Sequence, residues 1–270
     1  MTAVVQTVTG PIAPEQLGVT MPHEHLLLLN PSFVEPLEAS ERHRAYEPVS
    51  ERNIEWVRQY WTSNVDNLQL YDEETAREEA AWYYRAGGDT LIDPTTRYIA
   101  RDPRALVRIS RGSGVRIVSG TGFYVAETHP PDMGGRSEED LAAEMIGELT
   151  EGIDYTGVRA GFIGEIGCFW PLRDDEQKVL RGAAMASIET GAAVMVHPGR
   201  HPDAPPGHAE RLLVSMDICT KHRLHRYGGH GYDHILENIL PWMRRRGTSE
   251  EILQTLLVEN PRRVFPMNAP

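Results

Sequence analysis

Cysteine is scarce in this chain: 2 residues in 270, Cys168 and Cys219, with no C-x-x-C pair. That excludes a disulfide framework and fits a reducing compartment, so a cytoplasmic protein is expected. Positive charge is also in deficit, with 27 Lys+Arg against 39 Asp+Glu and a net charge of -12. A surface of that sign repels phosphate backbones and anionic lipid, so nucleic acid is not an expected partner. Long apolar runs are missing. The leucines of 26–29 are bounded by His25 and Asn30, far short of the roughly 20 residues that cross a bilayer, so no membrane span is expected. The opening MTAVVQTVTGPIAPEQ has neither the basic start nor the apolar core of a secretory signal, and no leader is expected. Linkers, repeats and low-complexity segments are absent too, which points to a single domain over 1–270. Against these absences, 40% hydrophobic and 24% charged residues are ordinary for a chain with a real core.

From about Met21 onward, short apolar runs alternate with segments of helical period, the pattern of an α/β domain with a parallel sheet. Ser50 and Asp72 are placed to cap two helices, the first with Ile54, Val57 and Trp61 on one face, the second running to Gly87-Gly88. A strand is expected at 89–93, a helix from Asp102-Pro103 to 112–114, and a strand at 115–119. Ser137 opens a helix whose Leu141, Met145, Leu149 and Ile153 lie four apart, followed by a strand at 160–166. Asp174 opens another that ends at Gly191, before a strand at 192–196. There the rhythm breaks. Only a Gly/Pro/His-rich stretch without helical period, 198–210, precedes the next expected strand at 211–216. Further on, Ile235, Ile239 and Met243 share a helix face that Pro241 should kink, and a last helix opens on the capping box Thr248-x-x-Glu251 and stops at Asn260-Pro261.

The chemistry-bearing residues sit at the ends of these runs. His23-Glu24-His25 follows the strand-like segment 17–21. In an extended chain, side chains two apart share a side, so both imidazoles reach one metal ion while Glu24 points away. Taken alone, the motif also describes a surface pair of histidines. Glu165 lies among glycines and apolar residues, where a charge needs a cation: a metal, or an arginine such as Arg159 or Arg200. His197 and Asp217 close their runs in the same way. In parallel α/β sheets and barrels, polar residues at the carboxyl ends of strands line the active site. His23, His25, Glu165, His197 and Asp217 together make a mixed N/O ligand set suited to Zn²⁺ or a similar transition metal. Tyr98, Phe123 and Tyr124 follow the next strands, where they either meet a substrate or pack the mouth of the sheet. Arg223, with His222, lies in the loop after Asp217 and is a candidate for an anionic group. No motif places a base beside Cys219, which reads as a packed thiol.

The segments Gly18-Val-Thr-Met-Pro-His23-Glu-His25-Leu, Gly164-Glu165-Ile-Gly167, Val196-His197-Pro-Gly, and the tail from Ser215-Met-Asp217 through Gly229-His-Gly-Tyr-Asp-His-Ile235 to Glu259-Asn-Pro261 resemble the phosphotriesterase family of the amidohydrolase superfamily, in particular its phosphotriesterase-related subgroup. The resemblance covers nearly the whole chain. It implies a (β/α)₈ barrel of TIM type with a two-metal centre, usually zinc, and hydrolysis as the reaction class. It assigns His23 and His25 to the first barrel strand, a bridging Glu165 to the fourth, His197 to the fifth and Asp217 to the eighth. Asp217 would also be the catalytic proton carrier. Tyr98, Tyr124 and Arg223 remain candidates for substrate binding.

The chain departs from the family pattern in one place. The family's sixth strand supplies a further histidine, in a segment ending His-x-Asp-Arg, and a seventh unit follows; this sequence contains neither. It passes from His197-Pro-Gly-Arg almost directly to Arg211, which suggests an internal deletion between 198 and 211 and about six of eight βα units. One zinc site keeps its ligands, while the second is left with Glu165 and His197, short of the three a catalytic zinc normally has. The expectation is a zinc-dependent hydrolase of an ester-type bond in a small molecule: a phosphotriester, lactone, carboxyl ester or amide. The alternative is a catalytically impaired metal- or ligand-binding remnant of such an enzyme. A metal-free barrel isomerase or lyase would need late phosphate-binding glycines, for which Gly228-Gly229-His-Gly231 is a weak candidate. Two lost strands also leave raw sheet edges, which a homo-oligomer would cover.

Overall fold

The computed structural model describes residues 3–198 and 213–269. The chain enters through an antiparallel hairpin, β1 (Ala3–Thr7) and β2 (Gly10–Ile12), in which Val5 faces Ile12. A short strand β3 (Thr20–Met21) follows, and after it the ribbon of β4 (Leu28–Leu29) with β5 (Gln69–Leu70) frames an excursion that holds α1 (Ile54–Gln59). Regular alternation then sets in: α2 (Glu73–Arg85), β6 (Thr90–Asp93), α3 (Pro103–Ser113), β7 (Arg116–Thr121), α4 (Glu138–Thr150), β8 (Phe162–Gly167), α5 (Asp174–Thr190) and β9 (Val194–His197). The sheet order is β3-β6-β7-β8-β9, every neighbour parallel. This is the α/β architecture that the alternation implies.

The helix boundaries follow local chemistry. Asp102 accepts the N–H of Ala105 at 2.9 Å ahead of Pro103, and Gly114 ends α3 at φ 85°, a left-handed turn that favours glycine. Ser137 and Asp140 form a reciprocal capping box on α4. All four residues of β6 and all six of β8 are buried, as parallel strands covered on both faces must be. Leu91, Ile117, Tyr83 and Ile109 pack in the largest core cluster, between the sheet and its α2 and α3 cover.

Three expectations are corrected. The strand expected at 211–216 does not form: residues 211 and 212 lie outside the described residues, and residues 213–219 carry no strand. A strand exists only as one side of a ladder, and among the described residues no sixth strand lies beside β9, so the parallel sheet has five strands where the sequence suggested six. Secondly, Pro261 does not stop its helix, and Pro241, expected to kink its own, follows a locally widened turn. The N–H of Leu240 bonds to the carbonyl of Ile235, five residues back, and that of Asn260 to Thr255. Each widened turn makes room for a ring without an N–H, and α6 (Leu240–Arg245) and α8 (Asn260–Val264) continue past Pro241 and Pro261. Thirdly, the cap of the intervening α7 (Glu250–Gln254) is Ser249, not Thr248, with its hydroxyl accepting from Ile252 at 3.3 Å. The last strand, β10 (Met267–Asn268), pairs with β1 and ties the two ends of the chain together. Among the described residues no helix is long and apolar enough to cross a membrane.

Candidate metal centre

The carboxyl ends of the parallel strands meet at one place. His23 and His25 follow β3 and present their Nε2 atoms to the same two carboxylates. His23 lies 3.3 Å from Glu165 Oε2 and 3.8 Å from Asp217 Oδ1, and His25 lies 3.3 Å from Glu165 Oε1 and 3.6 Å from Asp217 Oδ1. Glu24, between them, is turned away, as the period of two requires. His197, the last residue of β9, sets Nδ1 at 2.9 Å from Glu165 Oε2. Among the described residues, Glu165 therefore has imidazoles as its partners rather than an arginine; Arg200 lies outside the described residues. The β8–β9 register shifts between Ile163 and Ile166, the stretch that carries Glu165. Gly164 makes this close approach feasible, because a Cβ there would lie 2.7 Å from the Met195 carbonyl and its φ is +142°.

The electrostatics match a site built for a cation. Burial works against the charge on Glu165, which is 2% exposed, but the imidazoles of His197, His23 and His25 gathered around it hold its carboxyl well below the usual range. Burial likewise disfavours a charged His25; the hydrogen bond and charge of Glu165, with Asp217 and Asp93 behind it, push it up to about 9. Thr95 Oγ1 engages His25 Nδ1 at 2.8 Å, which orients the ring and leaves Nε2 for an ion. His23 Nε2 is buried and has no hydrogen-bond partner. One ligand atom from each of His23, His25 and Glu165 lies within 4.8 Å of the others. An orphaned imidazole nitrogen and a carboxylate facing a second nitrogen fit a divalent ion of the N/O-binding type.

His25, Glu165, His197 and Asp217 line a cavity of about 590 Å³, whose walls also include Leu28, Phe33, Trp61, Tyr124 and Phe169. Tyr124 packs edge-on against His197, with ring centroids 5.3 Å apart. Tyr98 stacks on the buried Phe123 at 6.1 Å and is not among the residues lining the cavity. Arg223 gives both terminal nitrogens to backbone carbonyls, Asp217 at 2.6 Å and Met216 at 2.7 Å. Burial pushes the Cys219 thiol up to about 12 and Cys168 up to about 11, so neither is a ready nucleophile.

Sequence reasoning passed over Asp93, Thr95 and Glu24. Asp93 was findable, because it ends the apolar run Thr-Leu-Ile-Asp like the other site residues; its carboxylate accepts the N–H of Leu26 at 3.0 Å and of Thr95 at 2.9 Å. Thr95 carries no such signal. The tail segment also reaches the site, with the Tyr232 hydroxyl donating to the His25 carbonyl at 2.8 Å.

Residues 3–206 and 204–265 match the family model of the phosphotriesterase family, in two pieces that meet at 204–206. The N-acetyltaurine hydrolase of Rattus norvegicus is 34% identical over an alignment of 336 residues that covers 96% of each chain, and that of Homo sapiens is 33% identical with the same coverage. Among solved structures, a resiniferatoxin-binding protein from Rhodobacter sphaeroides superposes with a TM-score of 0.90 at 31% identity, covering 97% of this chain and 94% of that one. The lactonase Lmo2620 from Listeria monocytogenes shares the fold, with a TM-score of 0.77 at 20% identity over 97% of this chain and 98% of its own. Matched over nearly its whole length, this chain belongs to the phosphotriesterase family.

Proposed function

We propose that this chain is a hydrolase that uses one divalent ion, zinc, held by His23, His25 and Glu165 with Asp217 beside them, to cleave an ester or amide bond of a small molecule. The observation that carries this is the convergence of those four side chains, each histidine 3.3–3.8 Å from both carboxylates, with His25, Glu165 and Asp217 lining one cavity. Similarity to proteins named N-acetyltaurine hydrolase and lactonase supports amide and ester chemistry. A bound divalent ion lowers the pKa of a water from 15.7 toward about 7 and polarises the oxygen of the bond to be broken.

The chain's own groups do the rest. Glu165 is fixed by three imidazoles and serves as a ligand. Asp217, whose side chain is 40% exposed, is the carboxylate open to the cavity, so it takes the proton released by the attacking water and hands it to the leaving group. Phe33, Trp61 and Phe169 shield one side from water and receive the apolar part of the substrate. Tyr124 borders the substrate beside His197, and Tyr98 supports the wall through Phe123.

A second ion has only Glu165 and His197 to hold it among the described residues. The two-piece family match supports the reading of 1–270 as one domain with a block absent between 198 and 211. The few cysteines support a cytoplasmic setting, and self-association, which a sizing column checks, is supported by β9 ending the parallel sheet among the described residues, where Val196 is 42% exposed.

Elemental analysis of purified protein, with turnover of aryl esters, lactones and N-acyl amides, tests the proposal. One tightly held equivalent of zinc, with turnover lost in His23→Ala and Asp217→Ala, is expected. Two tight equivalents overturn the single-ion site, and no bound metal overturns the mechanism. Metal without turnover leaves the impaired binding protein as the better reading.

A further inference from the structure

Residues 213–219 bring Asp217 to the cavity floor without belonging to a strand. A segment outside a ladder still has backbone donors and acceptors to satisfy. Here two side chains do this. From one side, the Glu24 carboxylate, with no exposure at all, takes the N–H of Met216 on Oε1 and the N–H of Ile218 on Oε2, each at 2.7 Å. The Ser215 hydroxyl lies 2.8 Å from Glu24 Oε1 and also accepts the N–H of His23 at 3.1 Å. From the other side Arg223 donates to the carbonyls of Met216 and Asp217. One backbone bond completes the set, His25 N–H to the Ile218 carbonyl at 3.2 Å. Asp217, bracketed in this way, has φ +50°. A residue other than glycine stays in that left-handed region only where its surroundings over-determine it.

We propose that Glu24 and Arg223 are positioning residues for Asp217: they hold residues 216–218 in place of a β-ladder and so aim the Asp217 carboxylate at His23 and His25. This rests on the metal-hydrolase reading above. Neither side chain touches reacting atoms. Glu24 is suited to the task because its neighbours within the His-x-His motif meet the Asp217 side chain, while its own carboxylate meets the backbone N–H groups on either side of that residue. Its chemistry is specific as well. A carboxylate offers acceptors to three donors at once, whereas a carboxamide of the same shape turns its NH₂ toward at least one backbone N–H.

The test compares the wild type, Glu24→Gln, Arg223→Gln and Ile109→Ala, the last a core variant remote from the clamp and chosen for a comparable loss of melting temperature. Amide exchange at Met216 and Ile218 is read in the metal-free chain, and Co²⁺ titration gives affinity and visible spectrum. We expect Glu24→Gln to speed exchange at both amides about tenfold or more and to weaken Co²⁺ by about 10- to 100-fold, with an altered absorption band and a fall in kcat at little change in KM. Arg223→Gln should act in the same direction, while Ile109→Ala should keep the wild-type spectrum and affinity. Should Glu24→Gln fail to fold, Ser215→Ala, which removes one of the three donors, gives a smaller shift in the same readouts. Wild-type exchange, spectrum and affinity in folded Glu24→Gln or Ser215→Ala would overturn the proposal. Failure of the metal-hydrolase reading looks different: the wild type then binds no Co²⁺, while exchange at Met216 and Ile218 still reports on the clamp.

Discussion

Thr95→Val removes one oxygen from the support of the metal centre and leaves every ligand in place. Thr95 is 1% exposed and holds His25 Nδ1 at 2.8 Å, while its own N–H stays on Asp93. Loss of such an outer partner typically weakens metal affinity about 10- to 100-fold, or about 1.4 to 2.8 kcal/mol at 1.4 kcal/mol per tenfold. At a zinc concentration about 100 times Kd, binding stabilises the folded state by about 2.7 kcal/mol. A tenfold loss halves this to about 1.4 kcal/mol at the same zinc concentration. For domains approaching this size, 1 kcal/mol shifts Tm by about 2–4 °C. The zinc-induced rise should therefore fall from roughly 5–11 °C to roughly 3–6 °C. Scanning calorimetry with and without zinc measures the rise, and isothermal titration gives Kd directly. The comparison of rises matters because Thr95→Val also lowers the melting point of the metal-free chain by stranding a buried ring nitrogen. An unchanged rise and an unchanged Kd, alongside a lower metal-free Tm, would refute a role for Thr95 in metal binding.

Arg101→Met should cost about 3–5 kcal/mol in urea unfolding, because it strands the buried Glu148, whose two oxygens each lie 2.7 Å from the Arg101 guanidinium; a loss below 1 kcal/mol would contradict the pairing. His222 is held down to about 4, chiefly by burial and then by Arg223 and Arg58. As pH falls below about 6.5 the unfolded chain takes the proton first, so stability present above that pH is lost down to about 4. His222→Gln should flatten this part of the Tm–pH curve, and an equal slope in both proteins would argue against it. With its thiol pushed up to about 12, Cys219 stays protonated near neutral pH, so iodoacetamide at pH 7.5 should leave turnover unchanged, and time-dependent inactivation with labelling of Cys219 would contradict that.

From α2 to β9 the order of helices and strands was readable in the sequence because several boundaries carry their own chemistry, whereas the cap expected at Ser50 is not made: α1 starts after Asn53. Asp102-Pro103, Ser137 with Asp140, and the left-handed Gly114 and Gly191 act within a few residues of the chain. The five ligand candidates were readable for a related reason. Each lies at the end of an apolar run, where a polar residue has few roles other than the site. Pro261 misled, because it sits where a π-turn relieves the clash that would otherwise stop a helix. That relief depends on how the neighbouring turn is wound, which composition does not show.

What the sequence by itself determined is local: the alternation of elements, the two-residue spacing that puts His23 and His25 on one side, and the carboxylate and imidazole chemistry of the strand ends. Tertiary structure decided where Asp217 lives and what holds it. Residues 213–219 have a strand's composition, but a ladder needs a partner, and pairing is a property of neighbours far away in sequence. The same distance hid Glu24 and Arg223. Glu24 meets Met216 and Ile218 across more than 190 residues of chain, and only folding brings that carboxylate and those N–H groups into the same dry space, where each requires the other.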